Sequence, residues 1–170
     1  MTLPDIKATC TTLAQQLKQH IRDNQIDNPI VVGIHTGGVW VAQHLIDEFE
    51  LPGPLYSVDI SFYRDDFNQK GLNPKVQGSS LPDTIEGRDL ILIDDVIMSG
   101  RTVRAAINEL FDYGRPSSIT LACLLDVGQR QLPFQPDACG ARLALEANQR
   151  IKVKGPSPLS LYLKNSDTES

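Results

Sequence analysis

Between Leu90 and Tyr113 an apolar run ends in two adjacent carboxylates, and a short loop of Ser, Gly and Thr then leads into a helical repeat. Leu90-Ile91-Leu92-Ile93 has no polar face, the mark of a strand covered on both sides. Asp94 and Asp95 follow it. Val103, Ala106, Ile107 and Leu110 recur at helical spacing, and Gly114 and Pro116 close that helix. A strand without a polar face needs a layer on each side. The segment therefore calls for an α/β architecture rather than a bundle or a sandwich.

The rest of the chain repeats the pattern. Ile6, Cys10, Leu13, Leu17 and Ile21 mark an amphipathic helix over about 5–24. The run Ile30 to Ile34 reads as a second buried strand, followed by Thr36-Gly37-Gly38 and a helix carrying Ala42, Leu45, Ile46 and Phe49 before Pro52-Gly53-Pro54. Leu55 to Ile60 and Ile119 to Leu125 are further strands. Alternation of this kind implies a mostly parallel central sheet with helices on both faces and ligands at the strands' C-terminal ends. Residues 61–89 lack sustained periodicity and contain Pro74, Gly78, Pro82 and Gly87. So long an irregular stretch within a compact domain is expected to be a long, flexible lid loop. Beyond Arg130 only short apolar pieces remain, Ile151 to Val153 and Leu159 to Leu163, expected as edge strands or an appended hood. The expectation is one domain over 1–164, with the hood mainly in 126–164 plus part of the N-terminus, and a disordered tail over 165–170.

The chain has 170 residues, enough for one self-sufficient core. Its apolar runs are too short to span a bilayer, and Met1 to Asp5 carries no signal-peptide pattern, so a cytoplasmic protein without membrane contact is expected. The three cysteines, Cys10, Cys123 and Cys139, are odd in number and widely spaced, which fits packed, reduced thiols. A net charge of −5 argues against a surface built throughout for nucleic acid.

The order strand, carboxylates, small polar loop, helix is what a phosphorylated sugar requires. At the helix start, unpaired N–H groups and the dipole favour a phosphate, Gly100 lets the backbone come close, and the Ser99 and Thr102 hydroxyls add donors. Asp94 and Asp95 stand upstream, where they can accept from two vicinal ribose hydroxyls or hold Mg²⁺ through water. The alternative is that Ser99 only caps the helix and the aspartates are a solvated strand end.

Leu90 to Thr102 resembles the signature for 5-phosphoribosyl-1-pyrophosphate (PRPP) in type I phosphoribosyltransferases: an apolar strand, two acids, three variable residues, then Ser or Thr, Gly, any residue and Thr. The resemblance extends to the PyrR group of that family, which are uracil phosphoribosyltransferases that in some bacteria also regulate pyrimidine operons by binding mRNA. It is carried by Tyr63-Arg64-Asp65-Asp66, by Gly100 to Ala106, by Gly114 to Ile119, and by Asp126, Gly128, Arg130, Leu132 and Pro133. The resemblance implies the type I phosphoribosyltransferase fold. It implies 5′-phosphate binding by Met98, Ser99, Gly100, Arg101 and Thr102, and pyrophosphate binding by His35, Thr36, Gly37 and Gly38. For His35 a satisfied loop histidine is the alternative. Asp94 and Asp95 are implied as catalytic and Mg²⁺-holding residues, directly or through water. Arg64 would close on pyrophosphate from the lid, the alternative being a solvated arginine paired with Asp65 or Asp66. Val96, Asp126, Gly128 and Arg130 form the implied base hood. The partners are PRPP, a nucleobase (uracil first), UMP and pyrophosphate, with a homodimer or homotetramer expected.

Two departures stand out. The group usually carries threonine-arginine-glycine where this chain has Thr36-Gly37-Gly38, and aspartate-arginine-glycine-histidine-arginine-glutamate where it has Asp126 to Gln131. Two cationic groups and one anionic group are thus absent near the cleft. The functions ranked from this pattern are a uracil enzyme, an enzyme for another base, and an RNA-binding regulator that senses UMP and PRPP. Clustered cations are what RNA binding requires, and on the sequence Lys152 and Lys154 are too few.

Overall fold

The computed structural model describes residues 2–61 and 78–165. Helix α1 (Ile6–Asp23) begins where the Asp5 carboxylate accepts the Ala8 N–H at 2.9 Å, and it buries Thr9, Cys10, Leu13, Ala14 and Leu17 along one stripe. Strand β1 (Ile30–Ile34), helix α2 (Gly37–Phe49), strand β2 (Leu55–Val58), strand β3 (Asp89–Ile97), helix α3 (Arg101–Phe111), strand β4 (Ser118–Asp126) and strand β5 (Ala138–Arg142) follow in alternation. The hairpin of β6 (Gln149–Lys154) and β7 (Ser160–Asn165) ends the described chain.

The five strands pair in the order β2-β1-β3-β4-β5, all parallel. Alternate side chains serve opposite layers, as the two-residue period of a strand requires. Val31, Ile91, Ile93, Ala122 and Leu124 join the core beneath α1 and α2, whereas Ile30, Val32, Leu90, Leu92 and Leu121 join the one beneath α3. Ile151, Val153 and Leu159 of the hairpin extend the first core, and Gly155 lies against the Trp40 ring of α2.

Strand order reverses between β1 and β3. From β1 the chain moves outward to β2, then returns to the other side of β1 to build β3, β4 and β5. In an open parallel sheet the crevice at such a reversal, beyond the strands' C-terminal ends, is where ligands bind. Here it lies where the turn after β1 meets the end of β3.

Part of the span expected as a lid is fastened down. Ser57 and Ser80 exchange backbone hydrogen bonds, Ile85 is fully buried, and the Ile85 and Gly87 N–H groups donate to Tyr113 and Arg115 carbonyls. Residues 62–77, including Tyr63, Arg64, Asp65 and Asp66, lie outside the described residues. Among the described residues no helix is long and apolar enough to cross a membrane. All three cysteines are free and buried.

Candidate active site

The acid pair sits within a strand and not beyond its end. Sequence pattern closes that strand at Ile93, but β3 runs on to Ile97, because β4 offers pairing partners as far as Asp126. The register with β1 stops at Gly33 opposite Ile93. Asp94 and Asp95 are therefore the first β3 residues to outrun β1, held by β4 on one side and facing the reversal crevice on the other. Asp94 is buried and its Oδ1 accepts the Asp95 N–H at 2.9 Å, while Asp95 Oδ1 accepts the Val96 N–H at 2.7 Å. These bonds fix both carboxylates to the backbone that carries them.

On the β1 side, Gly37 and Gly38 form the first turn of α2, where the sequence suggested a loop. Thr36 is the capping position, and the His35–Thr36 peptide is cis. A Cβ on Gly37 would overlap the Asp95 carboxylate, and one on Gly38 would overlap the Ile93 carbonyl and come 3.1 Å from Asp94 Cα. Only glycine lets the start of α2 lie directly on the acid pair. His35 donates its backbone N–H to the Val58 carbonyl at 2.9 Å, and its Nδ1 is buried without a hydrogen-bond partner. That orphaned nitrogen places a polar group at the turn after β1 that the protein does not satisfy.

The second helix start lies past β3. Gly100 caps α3 at φ 91°, a left-handed conformation open to glycine, and no side chain caps the helix. Ser99 is not the cap. Its Oγ accepts the Arg101 N–H at 3.2 Å, and its carbonyl accepts the Gln131 and Leu132 N–H groups at 2.9 and 3.0 Å. Arg101, exposed, donates through Nε to Gln131 Oε1 at 2.8 Å. Thr102 follows in the first turn of α3. Two helix N-termini, those of α2 and α3, thus flank Asp94 and Asp95.

The residues expected as a base hood stand beside the second start. Val96 is half-buried at the edge of the core. Asp126, at the end of β4, is buried and accepts both Arg130 Nη1 and Nη2, at 2.9 and 2.7 Å, as well as the Gly128 N–H at 2.9 Å. Burial alone would push the Asp126 carboxyl up. The hydrogen bonds from Arg130 and Gly128 and the charges of Arg130 and Arg142 outweigh it and hold the group below the usual carboxylate range. A concavity of about 400 Å³ opens next to this pair, with Gln135, Arg142 and Leu143 on its wall. Burial pushes the Cys123 thiol well up, helped by Asp94, and Cys10 up to about 11, so neither is a nucleophile at neutral pH.

Sequence reading placed Gln131 and Leu132 in the hood stretch but gave them no site role, whereas their backbone N–H groups reach the Ser99 carbonyl. Nothing in their identity reports a main-chain bond. The four-residue spacing of Asp126 and Arg130 is the only local trace of this bracing.

A family model described as a phosphoribosyl transferase domain matches residues 2–142. The chain is 54% identical over 168 residues to the Bifunctional protein PyrR of Pseudomonas syringae pv. tomato, covering 99% of both chains. It is 52% identical over 164 residues to the protein of the same name from Pseudomonas aeruginosa, covering 96% of both. A hypoxanthine phosphoribosyltransferase from Staphylococcus aureus shares the fold, with a TM-score of 0.66 over 89% of this chain and 80% of its own at 18% identity. The chain belongs to the phosphoribosyltransferase family, which makes it a pentosyl-transferring enzyme of the type I fold. Within that family it is a member of the PyrR group, as the motifs of the sequence implied.

Proposed function

We propose that the protein transfers the phosphoribosyl group of PRPP to uracil, releasing pyrophosphate and giving UMP. The observation that carries this reading is the contact between the Gly37-Gly38 turn and the Asp94-Asp95 pair, with the α3 start on the other side of the same carboxylates. An anion site, an acid pair and a second anion site in that order match pyrophosphate, ribose and 5′-phosphate.

A uracil nitrogen forms its bond to C1 of the ribose as the C1–O bond to pyrophosphate breaks, and the nitrogen's proton passes to solvent or to the departing pyrophosphate. Positive charge develops on the sugar during this exchange. Asp94 and Asp95 lie where the ribose would, and their fixed negative charge favours that state without reorganisation. The N-termini of α2 and α3 hold the two ends of the substrate. Among the described residues no three ligand-type side chains converge. A pair of carboxylates is instead the half-shell that suits a Mg²⁺ taking its other oxygens from substrate and water, with Asp94 and Asp95 as its protein ligands. Such an ion supplies positive charge against the leaving pyrophosphate. Arg64 is proposed, on the sequence alone, to close on the same group. Incubation with PRPP, Mg²⁺ and each nucleobase in turn tests the reading: UMP from uracil is expected, and a nucleotide formed only from a purine would replace uracil with another base.

A second activity is favoured by the β6–β7 hairpin. Arg150, Lys152 and Lys154 are exposed at alternate positions of β6, opposite Lys164, Tyr162 and Ser160, and Lys154 Nζ lies 4.6 Å from the centre of the Tyr162 ring. This cationic ribbon is larger than Lys152 and Lys154 alone, and it supports an RNA-binding role on an otherwise acidic chain. Binding to a pyrimidine-operon leader RNA that weakens steeply with salt is expected. Unchanged RNA binding by Lys152→Ala with Lys154→Ala would remove the hairpin from that role.

A further inference from the structure

Two peptides lead into α3, and both have their carbonyl oxygens tied to one neighbouring segment. Met98 O accepts Arg130 Nη1 at 2.9 Å, and Ser99 O accepts the N–H groups of Gln131 at 2.9 Å and Leu132 at 3.0 Å. In a planar trans peptide the C=O and N–H point in opposite directions. Holding these carbonyls towards residues 126–135 therefore turns the N–H groups of Ser99 and Gly100 away from that segment. Leu132 and Phe134 stand on one side of Gly100, 3.3 to 3.4 Å from where a Cβ would be.

Arg130 is itself fully engaged. Nε donates to Phe134 O at 2.7 Å, Nη1 to Met98 O and Asp126 Oδ1, both at 2.9 Å, and Nη2 to Asp126 Oδ2 at 2.7 Å and Gln135 Oε1 at 2.9 Å. A guanidinium has five N–H donors, and these bonds use them all. None is left for a base or a phosphate.

We propose that Arg130 is a positioning residue that touches no substrate and acts by aiming the Ser99 and Gly100 N–H groups at the 5′-phosphate. This rests on the phosphoribosyl reading of the site and removes Arg130 from the base hood. Arg130 determines how well the sugar phosphate is held, and base choice falls to other residues.

Calorimetry with ribose 5-phosphate, UMP and uridine, together with thermal unfolding, tests this on two variants. Arg130→Lys keeps a charge for Asp126 but loses the planar fork. Asp126→Asn with Arg130→Gln leaves no lone carboxylate buried and guards against misfolding. Both are expected to lose about tenfold in affinity for ribose 5-phosphate and UMP, with uridine affinity unchanged, since misaimed donors cost about 1.5 kcal/mol. KM for PRPP should rise with kcat nearly constant, and the ranking of bases should not move. Full UMP affinity in both folded variants would overturn the proposal. So would a shift in uridine affinity or base ranking, which would put Arg130 at the base, or an equal loss for every ligand accompanied by a lower Tm, which would make it purely structural. Wild-type protein that binds neither ribose 5-phosphate nor UMP would overturn the phosphoribosyl reading itself, a result distinct from those of the variants.

Discussion

The two helix starts that flank Asp94 and Asp95 are built by opposite means. The α2 start is shaped by what its residues lack: Gly37 and Gly38 have no side chains, so their backbone rests directly on Asp95, Ile93 and Asp94. The α3 start is shaped by what a neighbour adds, since Arg130, Gln131 and Leu132 tie down the Met98 and Ser99 carbonyls. One site has almost no tolerance for added atoms, and the other, beyond the left-handed Gly100, is held by a segment about thirty residues away. Close packing transmits a steric error directly, whereas a hydrogen-bonded brace loses its effect in increments of single bonds.

This difference can be broken at its stiffest point first. Gly38→Ala puts a methyl group into the Ile93 carbonyl, which belongs to a central strand and cannot retreat, so turnover with PRPP should fall about 100-fold through displacement of the acid pair. Steady-state kinetics on folded protein checks it, and wild-type rates would mean that the strand end yields. Gly37→Ala meets the Asp95 side chain first: rotation can clear its Oδ2 and Cγ at the loss of the bond from the Val96 N–H, while Cβ at 2.9 Å asks for a small backbone shift, so a loss of about tenfold is expected. A loss as large as that of Gly38→Ala would show that the Asp95 orientation seen here is required for turnover.

At the α3 start the effects are smaller. Thr102→Val removes one hydroxyl donor and should raise KM for PRPP about fivefold, near 1 kcal/mol, without changing kcat. The brace has its own pH dependence. Because the Asp126 carboxyl is held below its ordinary range, its pairing stabilises the fold above the carboxylate range and ceases to do so as pH falls through the depressed value. The Tm gap between wild type and Asp126→Asn should therefore be widest near neutral pH, about 3 °C, and close as the solution is made more acid. A gap independent of pH would mean that the ion pair contributes nothing beyond shape.

The same contrast explains what could be read from the sequence. The strand, acid pair, Ser99-Gly100-Arg101-Thr102 and helix were legible because each requirement is local and they stand in one unbroken segment. The alternation of strands and helices was legible for the same reason. Strand β5 was not. Ala138 to Arg142 has no apolar run, and it is a strand because β4 pairs with it and because Gly140 admits the backbone of α1 beside Thr9. The continuation of β3 through Asp94 to Ile97 is also set by its partner, since β4 outlasts β1. Residues 78–88 looked irregular because one buried side chain, Ile85, main-chain bonds and scattered side-chain bonds of Ser79, Glu86 and Arg88 hold them, none of which leaves a period. The use of Arg130 was hidden in another way: an arginine near a cleft suggests a ligand contact, and only the geometry shows its donors already engaged.

Asp94 and Asp95 are proposed to stand at the reacting ribose between two anion sites. Phosphorus NMR of PRPP with uracil and Mg²⁺, followed for wild type and for Asp94→Asn with Asp95→Asn, tests it most directly. Amides preserve the volume and remove the charge, so the wild type should produce UMP and pyrophosphate in equal amounts, while the folded double variant falls by at least about 100-fold. Ordinary production of UMP by the double variant would contradict the account.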